Sequence, residues 1–418
     1  VILYLLTRYL LRRQRSLAPM TKVYIRPRPL STSEQGDKTI EYVVEDDGTL
    51  VIDAEKKFPG FAGLLSTENS EAYTQAIQPM VSKMLNGTTS CCFAYGHTNS
   101  GKTHTIFGYD TEPGMCRRLV QDLFTESGTD LLVQVRFYEL YNGQVFDLLN
   151  NRQSGFVRED AHGIIHVRIS TQSLQAAYGE SAKAVHAIIR QGRSLRAEGT
   201  SELHHQSSRS HAFLELEIVT SALAEARQQV VLAQSRVVPL GKARDDLLYV
   251  IVDGKATATG AKPPQEDQDR LNTLQSQVDA AEAIVAALKA QVDDEKAKCN
   301  GGMFVLVDLA GAEYTGEGLT RNSKEQKEAR EINSSLLALK ECMRVQARQS
   351  AGHIPFRNSK LTMLLKCYLE TDNPSFTIMI ANVSSAETHL RKALGSIRYA
   401  TLVASAFKTT RNKMTNQR

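Results

Sequence analysis

Apolar and polar positions follow two different periods along the chain from Lys22 onwards. Compact apolar runs, typical of buried strands, alternate with stretches in which apolar residues recur every three or four positions, as in amphipathic helices. Strands are predicted at residues 21–25, 90–95, 131–138, 164–169, 211–219, 303–309 and 376–383, with a hairpin around Asp47-Gly48 within residues 39–53. Helices are predicted at residues 69–85, 175–191, 329–347 and 386–407. This alternation predicts an α/β domain.

Residues 220–300 do not follow this alternation, because they form a segment far longer than an ordinary connection between two strands. Apolar residues spaced alternately by three and four form a heptad pattern through Leu271, Leu274, Val278, Ala281, Val285, Leu288 and Val292. A weaker pattern runs through Leu223, Ala226, Val230, Ala233 and Val237. The two patterns predict an inserted antiparallel helical hairpin, coiled-coil-like, that serves a protein partner or self-association. The alternative is one solvated helix with a flexible linker.

Composition and charge exclude few functions. The chain has 418 residues, of which 42% are hydrophobic and 23% charged, and its net charge is +4. So small a positive excess does not predict binding to nucleic acid or to a membrane surface. The six cysteines form no CxxC pair and have no zinc-ligand spacing with histidine. They are therefore predicted to be reduced thiols of a cytosolic protein.

Residues 1–20 are predicted to be an N-terminal extension outside the domain. Their apolar run is too short to span a membrane, and the arginines Arg12, Arg13 and Arg15 follow it, the reverse of the order in a secretory signal. A basic organelle presequence is one interpretation. We favour the other, in which the natural start is Met20.

A phosphate-binding loop is predicted directly after the apolar run at 90–95. Its residues fit the pattern GxxxxGK[ST]: Gly96, His97, Thr98, Asn99, Ser100, Gly101, Lys102 and Thr103. Backbone N–H groups of such a loop, and of the helix that follows it, face phosphate oxygens. Lys102 would bring a positive charge to the β- and γ-phosphates, and the Thr103 hydroxyl is a suitable oxygen ligand for Mg²⁺.

Two further motifs narrow the chemistry to phosphoryl transfer. Asp308, at the end of an apolar strand, can hold a Mg²⁺-bound water, and the N–H of Gly311 can meet a γ-phosphate. Upstream, Ser208 offers a hydroxyl, and Arg209 offers a guanidinium group from the same chain as the phosphate-binding loop. Each motif alone is mostly a loop sequence, but their order after the phosphate-binding loop makes the joint interpretation strong.

Together these residues resemble the kinesin motor family. The chain reads CFAYGHTNSGKTHT at the phosphate-binding loop, SSRSH at switch I and DLAGAE at switch II. It also carries FYELYNGQVFDLL from Phe137, EINSSLLALKECMR from Glu331, HIPFRNSKLT from His353 and SIRYA from Ser396. The resemblance implies the P-loop NTPase fold of that family: a mostly parallel or mixed central sheet with helices on both faces, here carrying the inserted hairpin. It implies ATP and Mg²⁺ as ligands, a motor domain over residues 21–408, and a tail over 409–418.

The resemblance also implies individual roles. Arg26, Arg28 and Pro29 match the family's adenine-contacting RxRP, and His104 matches its residue beside the base. Ser208 is expected to help position Mg²⁺ and the attacking water. Arg209 and Glu313 are expected to form the salt bridge that closes switch I on switch II around the γ-phosphate, so that ATP closes the site and phosphate release opens it.

Four positions depart from the family pattern. His97 replaces the usual Gln, Asn99 occupies a variable position, His204 replaces Asn, and Ala312 stands where Ser or Asn is common. All the residues assigned to catalysis are nevertheless present: Lys102, Ser208, Arg209, Gly311 and Glu313. We therefore expect ATPase activity, slowed by His204.

Basic residues cluster between Tyr314 and Lys366 and predict a face for an acidic filament. The residues expected to bind the microtubule are Lys324, Lys327, Arg330, Lys340, Arg344, Arg357 and Lys360. The family's partner is tubulin, and the expected location is the cytoplasmic microtubule cytoskeleton, including a spindle or an axoneme. A mixed-charge solvated face is the alternative when the resemblance is set aside.

Three details resemble the internal-motor, microtubule-depolymerising branch of the family. They are the run from Cys92 to Gly96, the histidine His104, and the run from Leu337 to Arg344. The branch's extended loop with a Lys-Val-Asp tip is not recognisable, and Val51-Ile52-Asp53 is at most a remnant of it. The expected function is a microtubule-stimulated ATPase of the depolymerising type. The alternatives are a walking kinesin and a weakly catalytic microtubule-binding scaffold.

Overall fold

The computed structural model describes residues 20–109, 111–127, 131–160, 163–169, 172–198, 208–252, 255–258, 265–312, 323–348, 353–370 and 375–416. They form two compact units. The first contains the described residues within 1–167, 175–218 and 301–418, and the second contains those within 168–174 and 219–300. His204 and Glu313 lie outside the described residues.

The strands, in chain order, are β1 Met20–Arg28, β2 Tyr42–Val44, β3 Thr49–Ile52, β4 Lys56–Pro59, β5 Gly63–Leu64, β6 Thr89–Tyr95, β7 Leu132–Tyr141, β8 Gln144–Asp147, β9 Gln153–Glu159, β10 Ile165–Ile169, β11 Gln172–Ser173, β12 Ala177–Gly179, β13 His211–Val219, β14 Tyr249–Val252, β15 Lys255–Ala258, β16 Met303–Asp308 and β17 Phe376–Ser384. The α-helices are α1 Asn69–Ala76, α2 Val81–Leu85, α3 Lys102–Ile106, α4 Met115–Glu126, α5 Ala182–Glu198, α6 Ser221–Leu248, α7 Gln265–Lys298, α8 Ser323–Ala347, α9 Lys360–Leu369 and α10 Leu390–Asn416. All seven strands predicted outside the hairpin are present, which confirms the α/β class.

The central sheet of the first unit has the strand order β10-β9-β8-β7-β13-β16-β6-β17-β1-β5, with β12 paired to β7. Strands β16, β6, β17 and β1 are parallel neighbours, whereas β13 is antiparallel to β16, so the sheet is mixed, as predicted. Strand β6 is almost entirely buried, as a continuous apolar run predicts for a central parallel strand.

Helices cover both faces of this sheet. Successive side chains of a strand point to opposite faces, so each face presents its own residues for packing. Cys92 and Ala94 of β6 belong to the buried cluster that includes apolar residues of α1, α2, α4 and α5. Tyr95, of opposite orientation, packs its ring 4.5 Å from that of Tyr399 in α10. Among the described residues, no helix is both long and apolar enough to cross a membrane.

All four predicted helices have different bounds in the structure, and the one predicted to begin at residue 329 begins at Ser323. The segment 69–85 is divided into α1, a 3₁₀ turn at Gln78–Met80 and α2, because Pro79 has no N–H to continue a helix. The segment 175–191 begins only at Ala182, since Ala177–Gly179 pairs with β7. The last helix, predicted to end at 407, continues to Asn416, and most of the expected tail at 409–418 is therefore helical.

The predicted hairpin around Asp47-Gly48 is confirmed as β2 and β3. Gly48 has φ +80°, and a Cβ there would lie 2.6 Å from the carbonyl oxygen of Phe61. Strand β4 extends the hairpin to three strands. Val51 and Ile52 are strand residues, and Asp53, with φ 49°, begins the turn between β3 and β4. The interpretation of this tripeptide as a remnant of the depolymerising branch's loop stays a prediction.

The second unit contains helix α6, the two-stranded ribbon of β14 and β15, and helix α7. Two apolar heptad positions of each helix are buried: Val278 and Val285 in α7, and Leu223 and Ala226 in α6. Arg244 of α6 donates a hydrogen bond to Gln275 of α7, 3.4 Å away. Helices α6 and α7 pack against each other, and their buried positions belong to the heptad patterns.

In the first unit, the strands that flank this segment are antiparallel neighbours. Ala212 is paired with Asp308 at one end of β13 and β16, and Glu217 is paired with Met303 at the other. The Ile218 N–H donates to the Gly302 carbonyl at 2.9 Å, at the latter end. The chain therefore leaves and re-enters the first unit at the ends of these strands opposite Asp308.

Candidate nucleotide site

The phosphate-binding loop lies between the buried end of β6 and helix α3. Gly96 lacks space for any side chain, because a Cβ would lie 2.3 Å from the carbonyl oxygen of Asn382 and 2.4 Å from the Ser100 hydroxyl. Asn99 and Gly101 have φ of 64° and 96°, the left-handed region that turns the loop into the helix. The loop is therefore held closely against β17.

Lys102 and Thr103, the first residues of α3, are both bound to neighbouring oxygens. Lys102 is buried, and its Nζ donates to the carbonyl of His97 at 2.8 Å. The Thr103 hydroxyl donates to Oδ2 of Asp308 at 2.8 Å. The structure thus brings together the predicted phosphate-binding lysine and two of the three predicted metal ligands, Thr103 and Asp308.

Asp308 also contacts Arg196, a residue that the sequence did not single out. Arg196 is buried, and its Nη1 lies 2.9 Å from Oδ2 of Asp308. The same guanidinium donates to the side chain and carbonyl of Ser210, in switch I. The helix predicted to end at residue 191 continues to Glu198 in the structure, and this extension carries Arg196 to Asp308.

The donor set fits a hydrated Mg²⁺. Asp308 is fully buried, and its Oδ1 has no hydrogen-bond partner among the described residues. An orphaned carboxylate oxygen beside the Thr103 hydroxyl is the hard oxygen pair that Mg²⁺ prefers when it retains most of its water ligands. Thr103 and Asp308 would hold the ion, with Ser208 contributing from switch I.

Switch I and switch II meet directly at Gly311. Its N–H donates to the carbonyl of Ser208 at 2.9 Å, and the following N–H, of Ala312, donates to the carbonyl of Gly96 at 3.2 Å. A Cβ on Gly311 would lie 2.3 Å from the Thr98 hydroxyl and 2.8 Å from the Thr98 backbone. The Gly311 N–H, predicted to meet a γ-phosphate, is thus already occupied, and its bond to Ser208 must break before it can do so.

Arg209 contacts two carboxylates of helix α8. Its Nη1 lies 2.9 Å from Glu328 and its Nη2 3.1 Å from Glu325. Burial by itself would lower the pKa of Arg209, but the hydrogen bonds to Glu325 and Glu328 raise it. The partner expected from the sequence, Glu313, lies outside the described residues, so the pair with Glu313 stays a prediction.

His211 connects switch I, switch II and α8 through the two nitrogens of one ring. Its Nδ1 accepts from the N–H of Ala310 at 3.1 Å, which leaves the proton on Nε2 to face the Ser335 hydroxyl, also at 3.1 Å. Burial, followed by the charges of Arg196 and Lys102, lowers the pKa of His211 to about 3. The imidazole is therefore neutral and can make both contacts at once.

The residues predicted to contact the adenine base fall into two groups, one buried and one accessible. Arg26 is 3% exposed, and its guanidinium donates to Ser66, Thr67 and Thr105, so it joins elements of the core and has no free face for a base. Arg28 and Pro29, by contrast, are accessible at the end of β1. The expectation for Arg26 is wrong because a buried guanidinium requires acceptors, and the fold supplies them internally.

Arg28 and His104 are each oriented by a carboxylate. Arg28 forms a bidentate salt bridge with Glu34, in which two guanidinium nitrogens each lie 2.7 Å from a carboxylate oxygen. These hydrogen bonds hold the pKa of the Glu34 carboxyl well below its usual range. His104 is half-buried, and its Nε2 lies 2.9 Å from Glu112. Both side chains are thus fixed in position before any ligand binds.

His97 is almost completely buried, at 1% exposure, and neither ring nitrogen has a hydrogen-bond partner among the described residues. Burial is the main cause that lowers its pKa to about 3, followed by the charges of Lys102, His389, Lys392 and Arg28. The ring is therefore neutral, and it packs edge-on against His389. At this position the chain contributes its backbone carbonyl to Lys102.

The family profile of the kinesin motor domain matches residues 28–242 and 265–406. The chain belongs to the kinesin motor-domain family. Its sequence is 27% identical to kinesin-like protein KIF24 of Mus musculus over 91% of this chain and 23% of that protein. It is 29% identical to kinesin-like protein KIN-13B of Arabidopsis thaliana over 94% of this chain and 48% of that one. The kinesin chain thus spans less than half the length of these relatives.

Solved structures show the same fold. A fast kinesin matches with a TM-score of 0.65 and 24% identity, over 92% of this chain and 91% of that chain. The KIF14 dimer, solved with AMP-PNP on a microtubule, matches with a TM-score of 0.65 and 22% identity, over 93% of this chain and 94% of its own. The kinesin motor fold predicted from the motifs is confirmed.

On this kinesin domain, most of the predicted filament-binding cations are exposed: Lys324, Lys327, Arg330, Arg344, Arg357 and Lys360. Some of them are already paired. Arg344 contacts Glu341, Arg357 lies 2.6 Å from Glu159, and the Lys360 ammonium donates to the Gly143 carbonyl at 2.6 Å. The least engaged cations are thus those at the N-terminal end of α8.

Lys340, which is also predicted to bind the filament, is not fully exposed. It is half-buried, its Nζ lies 5.8 Å from the ring centre of Tyr399 in α10, and burial lowers its pKa. At helical spacing, Lys340 lies between the buried residues Leu339 and Cys342, on the inward side of α8. It therefore packs within the domain, while the outward side carries Lys327, Arg330 and Leu337.

Proposed function

We propose that this kinesin domain is a Mg²⁺-dependent ATPase stimulated by microtubules. The observation that carries the proposal is the meeting of three loops: Thr103 and Asp308 share a hydrogen bond, and Gly311 lies between Ser208 and Thr98. Phosphoryl transfer requires a loop that binds the phosphates, a pair of metal ligands and two switch segments in contact.

Each side chain has a role in this proposal. Lys102 exchanges its bond to the His97 carbonyl for the β- and γ-phosphate oxygens of ATP. Ser208 orients the attacking water, and Arg209 neutralises charge on the transferred group. Arg196 holds the carboxylate of Asp308 in place. Thr103 and Asp308 would hold Mg²⁺, which would supply positive charge to offset that of the phosphates.

The direct test is ATP turnover with and without microtubules. We expect slow hydrolysis by the chain alone and faster hydrolysis when microtubules are added. Turnover that microtubules leave unchanged would favour the scaffold alternative, and no turnover in either condition would remove the catalytic assignment.

The microtubule is the proposed partner, and ionic strength tests the surface. Exposed pairs are screened over about 10 Å at 0.1 M salt and about 3 Å at 1 M. Binding through the exposed cations Lys327 and Arg330 should therefore weaken steeply as salt rises, measured by co-sedimentation. Lys327→Glu should weaken microtubule binding as high salt does. Lys57→Glu replaces an exposed lysine of β4 and should leave binding unchanged. An affinity that is insensitive to salt would contradict this surface.

We further propose the depolymerising type over a walking motor, acting in the cytoplasm on the microtubule cytoskeleton. The proposal is supported by the runs from Cys92 to Gly96 and from Leu337 to Arg344, and by relatives named KIN-13. Release of tubulin from stabilised microtubules in the presence of ATP is the measurement. Filament gliding without shortening would favour the walking alternative.

The insertion 220–300 is proposed to be an accessory device for a protein partner or for self-association. Because β13 and β16 are adjacent at Ile218 and Gly302, a short glycine-containing turn can replace residues 220–300. We expect basal ATPase to remain within about twofold, since a connection at this end is remote from Asp308, and loop shortening changes stability only slowly. A folded deletion variant that loses basal turnover would assign the insertion to the motor mechanism.

A further inference from the structure

Two glutamates of helix α8 hold the arginine of switch I. Glu328 and Glu325 lie 2.9 and 3.1 Å from two different nitrogens of Arg209. The side-chain exposures are low: 21% for Arg209, 15% for Glu325 and 6% for Glu328. Because all three groups are largely withdrawn from water, solvent and salt screen these contacts weakly. Arg209 is therefore firmly attached to the helix.

Glu328 binds a second side chain in addition to Arg209. The hydroxyl of Tyr141, at the end of β7, donates to Oε1 of Glu328, while Arg209 binds Oε2. Helix α8 is thus joined at this point both to the central sheet and to switch I. A carboxylate with both oxygens occupied holds its partner in one geometry.

Arg209 is also next to the contact between the switches. The preceding residue, Ser208, accepts the Gly311 N–H, and Gly311 packs on Thr98 of the phosphate-binding loop. On α8, the same two turns that carry Glu325 and Glu328 carry the exposed residues Lys327 and Arg330 on the outside. One stretch of helix therefore connects the nucleotide loops with the proposed filament surface.

We propose that Glu325 and Glu328 are positioning residues for Arg209, which restrain it on α8 until the filament is engaged. The inference rests on the proposed ATPase function. While both nitrogens bind α8, the guanidinium cannot turn to close over the γ-phosphate. Contact of the filament with the outside of the first turns of α8 shifts these turns, releases Arg209 and lets the site close, and in this way a surface contact accelerates hydrolysis.

The test compares the double variant Glu325→Gln/Glu328→Gln with the matched control Glu331→Gln. Glu331 is an exposed carboxylate one turn further along α8. The double variant should raise the filament-free ATPase about tenfold, as loss of about 1.4 kcal/mol of restraint predicts, and lower the ratio of stimulated to basal turnover by a similar factor. The control should leave both unchanged. Basal turnover equal to that of the control would overturn the proposal.

Hydrogen exchange gives a reading independent of catalysis. In the ligand-free chain, the amides of residues 208–211 and 323–330 should exchange faster in the double variant than in Glu331→Gln. The variant Tyr141→Phe, which frees one oxygen of Glu328, should lie between them. Equal exchange in all three overturns the proposal even if ATP is hydrolysed. A wild-type chain without ATPase activity refutes the proposed function, while the exchange result still decides the restraint of Arg209.

Discussion

Replacement of Lys102 by alanine should lower ATP turnover by at least about a hundredfold. The Lys102 ammonium is the cation at the start of α3, and it lies buried 2.8 Å from the His97 carbonyl. In a site that excludes water, loss of one group aimed at developing charge typically costs about 10²–10³ in rate. Single-turnover and steady-state hydrolysis with purified chain are the measurements.

A control separates this effect from loss of folding. Lys57→Ala removes a lysine of β4 that pairs with Glu45 at the surface, and it should leave turnover unchanged. Circular dichroism should show the same helix content in both variants. If Lys102→Ala hydrolyses ATP at the wild-type rate, the phosphate-binding assignment of residues 96–103 is wrong.

The second large effect is expected for Gly311→Ala. A methyl group there would meet the Thr98 hydroxyl at 2.3 Å and the Thr98 backbone at 2.8 Å, distances that no real Cβ tolerates. Backbone atoms cannot move aside as a flexible side chain can, so switch II must separate from the phosphate-binding loop. We expect ATP turnover to fall about a hundredfold or more, because a displacement of about 1 Å in a reacting site has such an effect.

Gly241→Ala is the matched control, because nothing lies within 4 Å of a Cβ at that helical position. It should retain full turnover and unfold at the same or a slightly higher temperature, since alanine favours helix over glycine. Binding of a fluorescent ATP analogue separates loss of affinity from loss of chemistry in Gly311→Ala. Normal turnover of that variant would mean that switch II does not close on Thr98 during the cycle.

The sequence predicts the local geometry of the candidate nucleotide site where its residues are consecutive. Gly96 to Thr103 are consecutive, so strand, loop and helix follow from neighbouring residues alone. Arg196 could not be found in this way, because its partner Asp308 is more than a hundred positions away and the helix that carries it was predicted to end at residue 191. A buried charge network becomes visible only when the fold brings its members together.

Errors in the prediction have equally specific causes. Arg26 and Lys340 are both cationic and match motifs, yet the structure turns each towards the interior, where Arg26 finds three oxygen acceptors and Lys340 an aromatic ring. Charge identifies residues that can bind an acidic partner, but side-chain direction on a helix or strand decides which of them do. The break at Pro79 was readable from the sequence, since proline seldom continues a helix.

The adjacency of Ile218 and Gly302 has a practical consequence. These residues are joined by one backbone hydrogen bond of 2.9 Å across neighbouring strands, so the chain between them begins and ends at nearly the same point. Doubling the length of a loop costs only about 0.6 kcal/mol in closure entropy. This position is therefore a suitable attachment point for a fluorescent reporter domain with adjacent termini, through which single molecules on a filament could be observed without labelling the catalytic face.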